Sequence, residues 1–232
     1  MDYIALGIIW YVVFIVSTTF HEACHGFAAV KLGDPTAYHY GLVTVDPVPH
    51  IQRSPFGMVA IPILSFLLSG WMIGWASAPF DPYWAQRNRR KAALMSIAGP
   101  GANLIFVLVA ALIIRGGILF GFFHAPETIT FTQVVAAASP GWANAAAVVV
   151  SILFSLNLIL LVFNLIPLPP LDGSNVLLFF LSDRAAQRYE SFLYQPMHRM
   201  IGLVVAWQFF GPVFGPIHTL ALNILYPGAG YH

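Results

Sequence analysis

The sequence predicts an all-α polytopic membrane protein, with about four transmembrane helices and one re-entrant or broken hairpin segment. Three observations predict it. Of 232 residues, 59% are apolar and only 8% are Asp, Glu, Lys or Arg, against roughly a quarter charged in soluble domains. The mean hydropathy is +0.78. Several charge-free runs reach the about 20 residues that a helix needs to cross the hydrocarbon core. The same numbers exclude other classes. A net charge of +1 gives no basic surface for nucleic acid, and 15% aromatic residues oppose disorder. The chain holds 1 cysteine, so no internal disulfide or C-x-x-C thiolate site can form. Any metal must therefore sit on histidine and carboxylate.

The spans are expected at residues 3–29, 92–114, 143–166 and 200–226, within one domain over 1–232. The first begins IALGIIWYVVFIV and turns polar at Ser17, Thr18, Thr19 and His21. With Met1-Asp2 in place of a basic start, and no small-residue cleavage site before HEACHG, it reads as a retained helix. Gly33, Pro35, Gly41, Pro47, Pro49 and Pro55 then mark a loop, with a short strand expected at Leu42 to Val45. Residues 57–78 are apolar again but interrupted by Pro62, Gly70 and Gly74. A connector ends in Arg87-Asn88-Arg89-Arg90-Lys91, the densest cationic cluster. Residues 92–114 and 143–166 are clean spans separated by a Gly- and Thr-containing loop. The second runs into Pro167-Leu168-Pro169-Pro170-Leu171-Asp172-Gly173. In the last span Gly211, Pro212, Gly215 and Pro216 are expected to introduce a kink.

Orientation follows from Lys and Arg near span ends. The clusters at Arg87 to Lys91 and Arg184 to Arg199 are expected on the cytoplasmic side, which brings Asp172 near that face. Lys31 and Arg53 favour the same side, so residues 57–78 must enter and leave on one face, as a re-entrant segment. Both termini then lie outside.

His21-Glu22-Ala23-Cys24-His25 is an H-E-x-x-H sequence. Its histidines at i and i+4 share one helix face and can bind one metal ion through imidazole nitrogen. In metallohydrolases with this pattern the glutamate is not a ligand; it takes a proton from the water that the metal activates. A catalytic zinc takes three protein ligands, and Asp172 is the leading candidate for the third because it follows a charge-free span at the depth expected for His25. On local grounds an Asp in an ordinary P-P-L-D-G turn is an equal alternative. Two imidazoles and a carboxylate suit zinc, and also admit iron, cobalt and manganese.

These residues resemble the site-2 protease family of intramembrane zinc metalloproteases, through several motifs in order. HEACHG matches its H-E-x-x-H-G, Ala98-Gly99-Pro100-Gly101-Ala102-Asn103 its A-G-P-x-x-N, and Asn164 to Gly173 its N-x-x-P-x-P-x-L-D-G, with Ser174 where the family often continues with a second Gly. The loop GDPTAYHYGLVTVDPVPHI resembles that of the short bacterial members without a PDZ domain. The resemblance spans about residues 10 to 180. It implies one Zn2+ per chain held by His21, His25 and Asp172, with Glu22 as general base. Asn164 would hold the substrate backbone, or else is a buried Asn bonding a neighbouring helix. Asn103 and Gly99-Pro100 are expected to shape and pack helices around the site.

The resemblance further implies a membrane-embedded endopeptidase of a bacterial inner membrane, its site nearer the cytoplasmic face, acting on single-span transmembrane proteins or peptides in the lipid bilayer. A non-proteolytic metal-binding membrane protein and a transporter on the same fold are the alternatives. Intact Glu22 opposes the first, and clustering of the ionisable residues at one depth opposes the second. No motif specifies an oligomeric state. His39 and His50 are expected to be solvated loop histidines.

Overall fold

The computed structural model describes residues 2–193 and 195–231. Four of its helices are long and apolar enough to span a membrane. They are α1 (Tyr3–Leu32), α6 (Arg89–Leu119), α7 (Trp142–Asn164) and α10 (Pro196–Leu225). Between α1 and α6 lie the short helices α2 (Thr36–His39), α3 (Pro47–Arg53), α4 (Ile61–Ser69) and α5 (Pro82–Arg87), with a π-helical turn at Phe56–Ala60 leading into α4. After α7 come α8 (Asp172–Leu177) and α9 (Asp183–Leu193). The two β-strands among the described residues, β1 (Phe123–His124) and β2 (Ala136–Ala137), pair antiparallel in the loop before α7.

Local chemistry sets the boundaries. Asp2 caps α1 through its side chain, and Gly33 closes it in the left-handed conformation at φ 107°, which glycine adopts without a Cβ clash. The N-terminus of α3 follows the same logic, with Asp46 accepting from Val48 N and Pro47 in the first turn. Proline is favourable there because the first-turn N–H groups have no helical partner. Hence α3 forms where the prolines suggest only loop. The strand expected at Leu42 to Val45 is absent; those residues are irregular chain.

The segment between the first two spans holds a bent helix pair. Residues 47–53 and 56–69 meet at 111°. From Met72 to Asp81 the chain returns without helix and crosses back over the π-helical turn, where Trp75 N donates to Gly57 O at 3.1 Å. Two glycines permit the crossing. A Cβ on Gly74 would stand 2.3 Å from Gly57 O, and one on Gly57 would stand 2.2 Å from Trp75 O. Buried Asp34 pins the far end, accepting from Thr36 N and from Asp81 N.

α1, α6 and α7 form the packed centre. Small residues face the contacts, among them Ala92, Ala93, Gly99 and Ala102 of α6 and Ala143 and Ala147 of α7, so backbones approach closely and dispersion supplies the attraction that lipid cannot. α10 packs more loosely, on α7 through Phe210 and Phe214. Its helix runs unbroken through Pro212 and Pro216. Outside the bundle, Arg89 at the start of α6 makes a bidentate pair with Glu190 of α9 at 2.9 and 3.1 Å. The two cationic clusters that the sequence assigns to one membrane face are thus joined by a direct contact.

Candidate metal centre

α1 presents His21, Glu22 and His25 on its inward side, all buried. The Pro-rich loop after α7 turns the chain back so that Asp172 opens α8 directly against them. The Nε2 atoms of His21 and His25 are 3.0 Å apart, and each is 3.2 Å from Asp172 Oδ2. Among the described residues these three form the one cluster of His, Cys, Asp and Glu able to hold a metal ion.

The state of each imidazole follows from its outer nitrogen. Nδ1 of His25 lies 2.8 Å from Met95 O. A carbonyl cannot donate, so Nδ1 carries the proton and Nε2 presents its lone pair. Nδ1 of His21 lies 2.6 Å from Asn103 Oδ1, which gives the same result. Three acceptor atoms therefore face one another in a largely enclosed space, an arrangement that repels itself unless a cation lies among them. Their spacing suits one. Ligands about 2.1 Å from a tetrahedral zinc stand about 3.4 Å from each other.

Gly99 of α6 provides the room. A Cβ there would lie 2.3 Å from His25 Nε2 and 2.5 Å from His21 Nε2, inside the space to which the nitrogens point.

Glu22 is buried yet makes no hydrogen bond or ion pair with the described residues, so its carboxylate is unspent. Buried carboxylates ordinarily have a partner. The hydroxyls of Thr18 and Thr19 are also buried without partners, whereas Ser17 Oγ accepts from Asn157 Nδ2. Asn164 closes α7 half-buried, with Nδ2 donating to Leu160 O of its own helix and not to a neighbouring one. His50 departs from its expected solvated state. It is buried, with Nε2 at 3.0 Å from Thr44 O and Nδ1 unpartnered, because α3 turns it inward. His39 is exposed. Asn103 does more than pack helices: it bonds the first histidine of the cluster, a role that no local spacing signals because 82 residues separate them.

Fold and site together define a polytopic membrane protein with a His-His-Asp centre, its histidines buried and its aspartate half-buried, capable of holding a metal between its helices. The model of Peptidase family M50 matches residues 9–208, and the chain belongs to that family, in agreement with its resemblance to the site-2 proteases. It is 37% identical over 164 residues to "Putative zinc metalloprotease YwhC" of Bacillus subtilis, covering 70% of this chain and 64% of that protein. Two proteins named Rip2 are also similar. That of Mycobacterium tuberculosis is 30% identical over 159 residues, covering 68% of this chain and 52% of its own. That of Mycolicibacterium smegmatis is 25% identical over 177 residues, covering 76% and 59%. The matches thus span between half and two thirds of the length of these curated relatives. No solved structure matches the chain.

Proposed function

We propose that this protein is a zinc-dependent endopeptidase that hydrolyses peptide bonds in transmembrane segments of other proteins. The observation that carries this reading is the convergence of His21 Nε2, His25 Nε2 and Asp172 Oδ2 beside Glu22, a buried residue that makes no hydrogen bond among the described residues. The relatives named as zinc metalloproteases support it. His21, His25 and Asp172 would hold one zinc ion per chain. Bound there, zinc supplies Lewis acidity, lowering the pKa of water towards about 7 and polarising the scissile carbonyl.

The chain's own residues do the rest. Glu22, one residue from the first ligand, is placed to take a proton from water at its carboxylate oxygen and to return it to the leaving amine. Its freedom from other hydrogen bonds keeps that oxygen available. Thr18 and Thr19, with unpartnered hydroxyls in the turn before His21, offer polar stations for water along an otherwise apolar helix. A transmembrane substrate has its carbonyls bonded internally and must unwind before attack. The returning segment Met72 to Asp81 is suited to receive it, since Trp75 N to Gly57 O is its one backbone-to-backbone bond before Asp81 among the described residues. An unwound strand can pair with the backbone groups that this segment leaves unbonded, Ile73 N and Ser77 O being held by Ser65 and Arg53. Asn164, whose Oδ1 makes no hydrogen bond among the described residues, is a further candidate to hold the substrate amide. The substrate class is a single-span protein or peptide, and the site opens nearer the cytoplasmic face of a bacterial inner membrane.

Glu22→Gln tests the reading. Cleavage of a reporter transmembrane helix is expected to disappear while zinc is retained. Undiminished cleavage would remove Glu22 from the reaction.

A further inference from the structure

A chain of buried amides runs away from the metal cluster. Asn103 of α6 lies between His21 of α1 and Asn157 of α7, with Oδ1 2.6 Å from His21 Nδ1 and Nδ2 donating to Asn157 Oδ1 at 2.9 Å. Asn157 Nδ2 donates to Leu153 O and to Ser17 Oγ, both at 2.9 Å. Asn103, Asn157 and Ser17 are each 0% exposed.

The direction of this chain is fixed at its far end. Leu153 O can only accept, so the group of Asn157 facing it must be the amide NH2, and Oδ1 must face Asn103. An acceptor there requires the NH2 of Asn103, which turns Asn103 Oδ1 towards the imidazole. Reversing the amides would set Asn157 Oδ1 against the Leu153 carbonyl and bury two acceptors face to face, at a cost of about 1–3 kcal/mol.

From this polarity we infer that Asn103 and Asn157 are positioning residues for the metal centre, holding His21 in the Nδ1–H tautomer with its Nε2 lone pair aimed at the ion. The inference rests on the metal-binding reading above. It also separates the two histidines. The orientation of His25 is secured by a backbone carbonyl, Met95 O, and is proof against side-chain replacement, whereas that of His21 depends on side chains from two other helices. Supporting contacts of this kind are worth about 10–100-fold in metal affinity.

The test is a zinc-affinity titration against a chromophoric chelator, on detergent-purified full-length protein, with fold followed by circular dichroism and Co2+ absorption as the site's spectroscopic signature. Wild type, Asn103→Leu, Asn103→Asp and Asn157→Leu are compared. Asn103→Leu should weaken zinc about 10–100-fold and alter the cobalt spectrum. Asn103→Asp keeps an acceptor towards His21 and should bind zinc within a few-fold of wild type. Asn157→Leu frees the Asn103 amide to turn and should also weaken zinc, so it carries the test if Asn103→Leu does not fold. Wild-type affinity in folded Asn103→Leu or Asn157→Leu, or loss of zinc in folded Asn103→Asp, would overturn the relay while leaving the metal site intact. A folded wild type that binds no zinc would overturn the metal reading itself, and the relay with it.

Discussion

Gly99 of α6 faces His25 of α1 so closely that a methyl group on it would stand 2.3 Å from the imidazole Nε2. The missing side chain is therefore part of the candidate metal site, since a Cβ would occupy the space where three acceptor atoms converge. Gly99→Ala is expected to abolish zinc binding, exceeding the about 10–100-fold loss of a supporting contact. Gly101, whose Cβ would meet nothing within 4 Å, is the control: Gly101→Ala should bind zinc as wild type does. Elemental analysis of both variants checks this.

The crossing of Gly57 and Gly74 carries a second expectation. Gly74→Ala would press a Cβ to 2.3 Å from Gly57 O and 2.4 Å from the Phe14 ring, so the returning segment must shift. Because the hydrogen bonds of that segment go to Gly57, Ser65, Arg53 and Asp34 and not to the cluster, zinc content should hold while reporter cleavage falls at least about tenfold, roughly the effect of 1.4 kcal/mol on a barrier. Equal cleavage by wild type and variant would remove the segment from substrate binding.

Removing the metal should loosen the bundle. With the cation gone, His21, His25 and Asp172 present acceptors to one another at 3.0–3.2 Å, and a ligand that binds the folded state alone stabilises it by mass action. Thermal unfolding in detergent should shift to lower temperature on chelation and recover as zinc is restored. A midpoint indifferent to chelator would speak against an ion at this place.

The bidentate pair of Arg89 and Glu190 ties α9 to the start of α6. Charge-assisted bonds of this kind contribute about 1.5–3 kcal/mol when buried. The guanidinium is partly exposed at 21%, so Glu190→Gln is expected to destabilise by only about 1–2 kcal/mol. Zinc content should remain at its wild-type level. Denaturation monitored by circular dichroism, alongside elemental analysis, checks both parts.

The sequence makes the spans and the motif histidines legible for a physical reason: charge-free runs and i, i+4 spacing are local signals. The interruption of the apolar segment between the first two spans is also legible, because Gly70 ends α4 in the left-handed conformation. Other features depend on partners distant in sequence. Asn103 meets His21 across 82 residues and Asn157 across 54, and no window of sequence contains either pair. Pro47 shows a different limit. Read as a breaker it ends helices, yet behind an Asp46 cap it begins one, and the turn it starts carries His50 into the interior.

His21, His25 and Asp172 are expected to hold one metal ion. Elemental analysis of detergent-purified wild type, His21→Ala and Asp172→Ala, matched for folding by circular dichroism, tests it most directly. About one zinc per chain in wild type, lost in both variants, is the expected result for a three-ligand site. A folded wild type without metal, or full zinc occupancy in Asp172→Ala, would contradict it.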